Sequence, residues 1–150
     1  MNNFWILAAM LLWTSAAAGE GVVVEDAWVR ALPPTQSNTA AYLRATNTGS
    51  ERQEITGATV ELSGRAEIHT SITVDGYVKM QQLPSLTLAP GESVELAPGG
   101  KHLMLLDLER MPAPGESLQL CLIIASGGQA CATAPVRKGA PADDNNHQHH

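Results

Sequence analysis

Turn residues cut this chain into short pieces, and that punctuation limits its fold more than any other feature. Pro33-Pro34, Asn47-Thr48-Gly49, Asp75-Gly76, Pro90-Gly91, Pro98-Gly99-Gly100 and Pro114-Gly115 follow one another along the sequence. Proline removes a backbone donor and glycine frees the backbone, so helices seldom survive such spacing. The intervening segments are short and rich in Val, Ile, Leu and Thr: Val22–Arg30, Ala40–Asn47, Gln53–Leu62, Ala66–Val74, Tyr77–Leu83, Ser85–Leu88, Ser93–Leu96, His102–Leu108, Ser117–Ala125 and Ala130–Val136. Strands of this length, broken every eight to twelve residues or so, predict a single all-β domain, a sandwich or a barrel. The apolar run that begins at Leu103 reads as a central strand.

Nine Lys and Arg stand against fifteen Asp and Glu, a formal net charge of −6. No basic stripe is left to neutralise phosphates, which argues against a nucleic-acid partner. A hydrophobic fraction of 44% with 16% charged residues argues against disorder. Enzyme motifs are also missing: there is no Gly-rich phosphate loop, no Gly-x-Ser-x-Gly elbow and no His-Glu-x-x-His. The carboxylates are scattered, and each reads as a solvated surface charge.

Residues 1–18 have the layout of a secretory signal peptide, with an apolar run Phe4–Trp13 and small residues Ala16-Ala17-Ala18 before Gly19. The mature chain would begin at Gly19, with a domain over residues 19–137 and a polar, flexible tail over 138–150. No later segment is apolar enough to insert stably in a membrane. Export makes a disulfide between Cys121 and Cys131 feasible. A tight turn centred on Gly127-Gly128 would pair Cys121 with Ala134, so a bridge requires a wider or shifted turn; the alternative is two small buried thiols.

His69, Met80, His102 and Met104 form the most informative constellation. His102 and Met104 are two apart on one expected strand and so share a face. Asp75-Gly76 is the strongest hairpin signal in the chain. With these two as the loop, Met80 faces Ser71 and His69 faces Gln82, making His69 and Met80 diagonal neighbours, roughly 7–8 Å apart across the strands between backbone positions. Two imidazoles and two neutral, soft thioethers favour Cu(I) over harder cations. A site without an anionic ligand suits release as well as binding. A blue-copper centre needs a Cys beside two His, and neither Cys121 nor Cys131 has one nearby. Met111 reads as loop packing, Trp28 as a core anchor, and Tyr42 and Tyr77 as packing residues.

The spacing His69-x10-Met80-x21-His102-x-Met104 resembles that of the periplasmic copper chaperones of the PCuAC type. Asp26-Ala27-Trp28-Val29-Arg30, Ala41-Tyr42-Leu43, Asn47-Thr48-Gly49, Leu96-Ala97-Pro98-Gly99-Gly100 and Ala134-Pro135-Val136 extend the likeness over about residues 22–137. The resemblance implies a cupredoxin-like antiparallel β-sandwich of Greek-key type with Cu(I) held by His69, Met80, His102 and Met104. It further implies a monomer that delivers copper to the CuA subunit of cytochrome c oxidase, or to a Sco-like thioredoxin-fold protein. Many members place a Met after the first His, where this chain has Thr70. Relatives with His-rich tails suggest a second, Cu(II) site at His147, His149 and His150; the alternative is a tail with incidental metal affinity. Other readings of the whole chain are a metal-independent interaction module, a copper buffer or store, and a copper enzyme or electron carrier.

Overall fold

A computed structural model describes residues 21–139. The expected signal segment 1–18 and the tail histidines lie outside the described residues. All ten expected strands form: β1 (Val22–Arg30), β2 (Thr39–Asn47), β3 (Gln53–Val60), β4 (Ser63–Val74), β5 (Tyr77–Gln82), β6 (Leu86–Leu88), β7 (Ser93–Leu96), β8 (His102–Leu108), β9 (Ser117–Ile124) and β10 (Gln129–Arg137). No helix occurs among the described residues, so none there is long and apolar enough to cross a membrane.

The strands pair in the order β5-β4-β8-β2-β1-β10-β9-β3-β6, with β7 on β2. A further pairing of β3 with β4, at Ala58 and Ala66, closes a seven-stranded ring from β4 round to β3. Closure removes most free edges, the usual weakness of a sheet protein. The pairings are antiparallel except for β1 with β10, which run parallel through Val29–Val136 and Arg30–Arg137. That parallel contact joins the two ends of the domain, and no local sequence signal announces it.

Alternation along the strands decides what lies inside. Ala41, Leu43 and Ala45 of β2, Ile68 of β4, Leu103 and Leu105 of β8, and Leu118, Leu120 and Leu122 of β9 all point into the core. Fully burying each Leu or Ile contributes about 1.5–3 kcal/mol. Asn47 is fully buried at the end of β2, and its carboxamide is used completely. It donates to the carbonyls of Glu51 (2.6 Å) and Leu88 (3.0 Å) and accepts from the amide of Gly49 (3.0 Å). The Asn47-Thr48-Gly49 motif is therefore a polar clamp on the strand end.

Two irregularities bear on function. A bulge at Asp26, whose φ is 53°, shifts the β1–β2 register between Glu25 and Trp28. Val22 and Val24 pack on the core before it, Ala27 and Val29 after it, so Trp28 and Arg30 turn outward. Trp28 was expected to anchor the core; it is buried, yet on the outer face against Tyr42, with ring centroids 4.6 Å apart. Tyr77, expected to pack, is 72% exposed, because β5 is an edge strand beyond the barrel wall.

The second irregularity is the β9–β10 turn. Ile123 pairs with Gln129 and Cys121 with Cys131, so the loop is wider than two residues, and Gly127 and Gly128 close it rather than centre it. This register sets the cysteines directly opposite, Cα atoms 4.0 Å apart, and they form a disulfide.

Candidate metal site

Strand pairing sets each expected donor. Asp75 and Gly76 take φ of 52° and 80°, the geometry of a two-residue hairpin loop, and fix His69 opposite Gln82 and Ser71 opposite Met80. On its other side β4 pairs with β8, putting His69 directly opposite His102 and Glu67 opposite Met104. By alternation His69, Met80, His102 and Met104 all rise from the outer face of the wall. The imidazole centroids are 5.9 Å apart. Met80 and Met104 flank the histidine pair on opposite diagonals, Met80 from β5 and Met104 from β8.

Hydrogen bonds orient both imidazoles. The Nδ1 of His102 lies 3.0 Å from the carbonyl of Gly100, which can only accept, so the proton sits on Nδ1 and the lone pair on Nε2. The Nε2 of His69 lies 2.9 Å from the Glu67 carboxylate, which leaves the lone pair on Nδ1. Both lone-pair nitrogens, His69 Nδ1 and His102 Nε2, are buried without a partner. Leaving a buried polar atom unpaired costs about 1–3 kcal/mol, and two on paired residues suit an ion shared between them. Metal-binding histidines usually donate their second N–H to a carboxylate or a backbone carbonyl, and these two do both.

Glu67 corrects the sequence reading. It is half-buried and not merely solvated: it holds His69, and Arg65 Nε approaches it at 3.6 Å. The signal was present in Glu67-x-His69, two residues that share a strand face, but a lone carboxylate beside a histidine is too common to single out.

Met80, His102 and Met104 open on one cleft of about 450 Å³, which Arg30, Tyr42 and Ser71 also line. The guanidinium of Arg30 stacks over Tyr42 at 5.3 Å and over Trp28 at 5.9 Å. Burial raises the Tyr42 phenol above its ordinary range, with Arg30 pulling the other way, so no tyrosinate is available as a ligand at neutral pH. No group of three or more His, Cys, Asp or Glu gathers among the described residues. By register, Met80 and Met104 are the sulfur-bearing side chains on the same face as His69 and His102. Met111 lies apart, in a Pro-lined groove with Pro33 and Pro112.

Residues 22–136 match the LpqE-like family, described as lipoproteins. The chain belongs to that family. It is 31% identical over 133 residues to a relative from Leifsonia xyli subsp. xyli that carries the lipoprotein name Lxx21020, covering 88% of this chain and 79% of the relative. Among solved structures, Cu(I)-loaded DR1885 from Deinococcus radiodurans is 30% identical, with a TM-score of 0.64 and 82% of each chain covered. The copper-bound PCuAC domain from PmoF2 superposes with a TM-score of 0.64 at 22% identity, covering 82% of this chain and 95% of that domain. The LpqE-like chain thus has the cupredoxin-like β fold of PCuAC domains.

Proposed function

We propose that this LpqE-like protein is an exported copper chaperone that binds Cu(I) through His69, Met80, His102 and Met104. The observation that carries the reading is the pair of buried, unpartnered imidazole nitrogens at the paired residues His69 and His102, with a thioether on either diagonal. Supporting it, PCuAC domains of the same fold hold copper, DR1885 as Cu(I). Soft neutral donors hold Cu(I) without the charge compensation that a thiolate would give. The ion is cargo, bound firmly enough to carry and loosely enough to pass on. A blue-copper electron carrier lacks its thiolate, since Cys121 and Cys131 are joined to each other.

The signal-like segment 1–18 and the family's lipoprotein description support export. The acceptor we propose is the CuA subunit of cytochrome c oxidase or a Sco-like protein, reached by a monomer, and His147, His149 and His150 are proposed as a separate Cu(II) site.

Titration of Cu(I) against a competing chelator tests the ligand set. Glu67→Gln, which loosens the hold on His69, should weaken Cu(I) binding by about 10–100-fold, and His102→Ala by more than that. Equal affinity in the parent and both variants would overturn the four-ligand reading.

A further inference from the structure

Arg30 is placed with more care than the metal reading requires. Its backbone is fixed on two sides: β1 runs parallel to β10 at Arg30–Arg137, and the Thr39 hydroxyl donates to the Arg30 carbonyl. Its guanidinium lies over the Trp28 and Tyr42 rings, which holds the plane of the fork. Its Nε is buried and has no hydrogen-bond partner. Arg44, Arg65 and Arg110 each meet a carboxylate, whereas Arg30, like Arg52 and Arg137, has none within ion-pair distance among the described residues. A fixed, unpaired cation thus lines the same cleft as Met80, His102 and Met104. Asn38 lines it as well, and its Oδ1 accepts from the Asp107 amide, which leaves the Asn38 N–H groups free to donate.

A cation beside a cation site is a cost unless something answers it. We propose that the Arg30 end of the cleft receives a carboxylate group, so that the cleft holds an anion and a metal ion side by side. One guanidinium balances one negative charge, which matches a carboxylate and leaves a phosphate dianion half compensated. The fork of a guanidinium also suits the two oxygens of a carboxylate. Leu32, Ala40 and the two thioethers give the remaining wall an apolar character that suits a carboxylate carried on a small apolar body. The carboxylate belongs either to a free small molecule or to a side chain of the copper donor or acceptor. Its place in copper transfer rests on the function proposed above: neutralising Arg30 removes a repulsion from incoming Cu(I), so the two ligands should favour one another, and reciprocally.

The test uses the full chain without metal. The Arg30 Nε–H signal, identified by its loss in Arg30→Gln, is followed by nitrogen-15 NMR while propionate is added. A saturable shift with a dissociation constant on the order of millimolar is expected, with no such shift for the neutral isostere propionamide. A shift that does not saturate, or one that propionamide reproduces, would overturn the proposal. A blocked apolar peptide with a single Glu separates the sources. Binding about tenfold tighter than propionate assigns the carboxylate to a partner protein, and equal or weaker binding assigns it to a small molecule. Saturating propionate should then raise Cu(I) affinity by roughly threefold or more in the parent chain and leave Arg30→Gln unchanged. Failure of Cu(I) to bind at all would sink the copper reading while leaving the carboxylate result intact.

Discussion

The two strands that carry the methionines are built in opposite ways. β8 lies in the barrel wall between β4 and β2, with Leu103 and Leu105 fully buried beneath it and His102 only 5% exposed. β5 pairs with β4 alone, every one of its six residues is exposed, and Met80 is 61% exposed. For the proposed site, the first strand would offer donors already in position, at little ordering cost. The second offers a thioether that pays side-chain entropy to join the set. In the copper site proposed above, the difference would make His102 and Met104 the firmer donors and Met80 the one an incoming sulfur ligand displaces first.

Attacking the two strands beneath their donors should show the largest contrast. Leu103→Ala removes a fully buried side chain and should cost about 2–5 kcal/mol of folding stability, whereas Val78→Ala on the exposed strand should stay within roughly 0.5 kcal/mol. Urea unfolding of both variants measures this, and equal losses would show that β5 is as integrated as β8. A smaller effect is expected at the hairpin loop. Gly76→Val forces a β-branched residue to adopt φ near 80°, at a local cost of about 1–3 kcal/mol. Hydrogen exchange of the β5 amides should quicken while that of β8 is unchanged. Acceleration in both strands would mean that the two halves open as one unit.

The smallest effect is expected in the loop between β8 and β9 and serves as the reference. Hydrogen bonds from Arg110 and from the Ala113 amide pull the Glu116 carboxyl down to about 2 from its ordinary 4.5. A carboxyl depressed in the folded state stabilises above its unfolded value, and that stabilisation is lost as the pH falls from 4.5 towards 2. Because the group faces water, salt should weaken the effect further. Urea midpoints at about pH 5 and pH 3 should fall less in Glu116→Gln than in the parent chain. An identical fall in both would remove Glu116 as the cause.

What could be read in advance follows the range of the interactions. Turn residues act locally, so all ten strands were legible, and Asp75-Gly76 gave the register that sets Met80 opposite Ser71. The pairing of His69 with His102 joins residues 33 positions apart in the sequence; donor chemistry and the resemblance to PCuAC proteins group the two, but no local pattern sets them opposite one another. The parallel closure of β1 on β10 and the exposure of Tyr77 depend on the whole sheet order, which no local pattern encodes. The turn between the cysteines was narrowed to two outcomes, and the wider one occurs because Gly127 and Gly128 close the loop. The parts Glu67 and Arg30 play come from side-chain contacts, one with the neighbouring histidine and one across two aromatic rings.

The bulge at Asp26 behaves like a shift of reading frame. Were β1 to keep its length and pair without the bulge, every inward side chain after Asp26 would become an outward one. Asp26 absorbs that change: it and Ala27 together stand opposite Leu43, so Ala27 and Val29 stay on the core side and Trp28 and Arg30 face the cleft. The chemistry at the mouth of this cleft therefore depends on a bulge as much as on residue identity. A strand of the same length that paired without the bulge would turn Trp28 and Arg30 towards the core and present a different cleft.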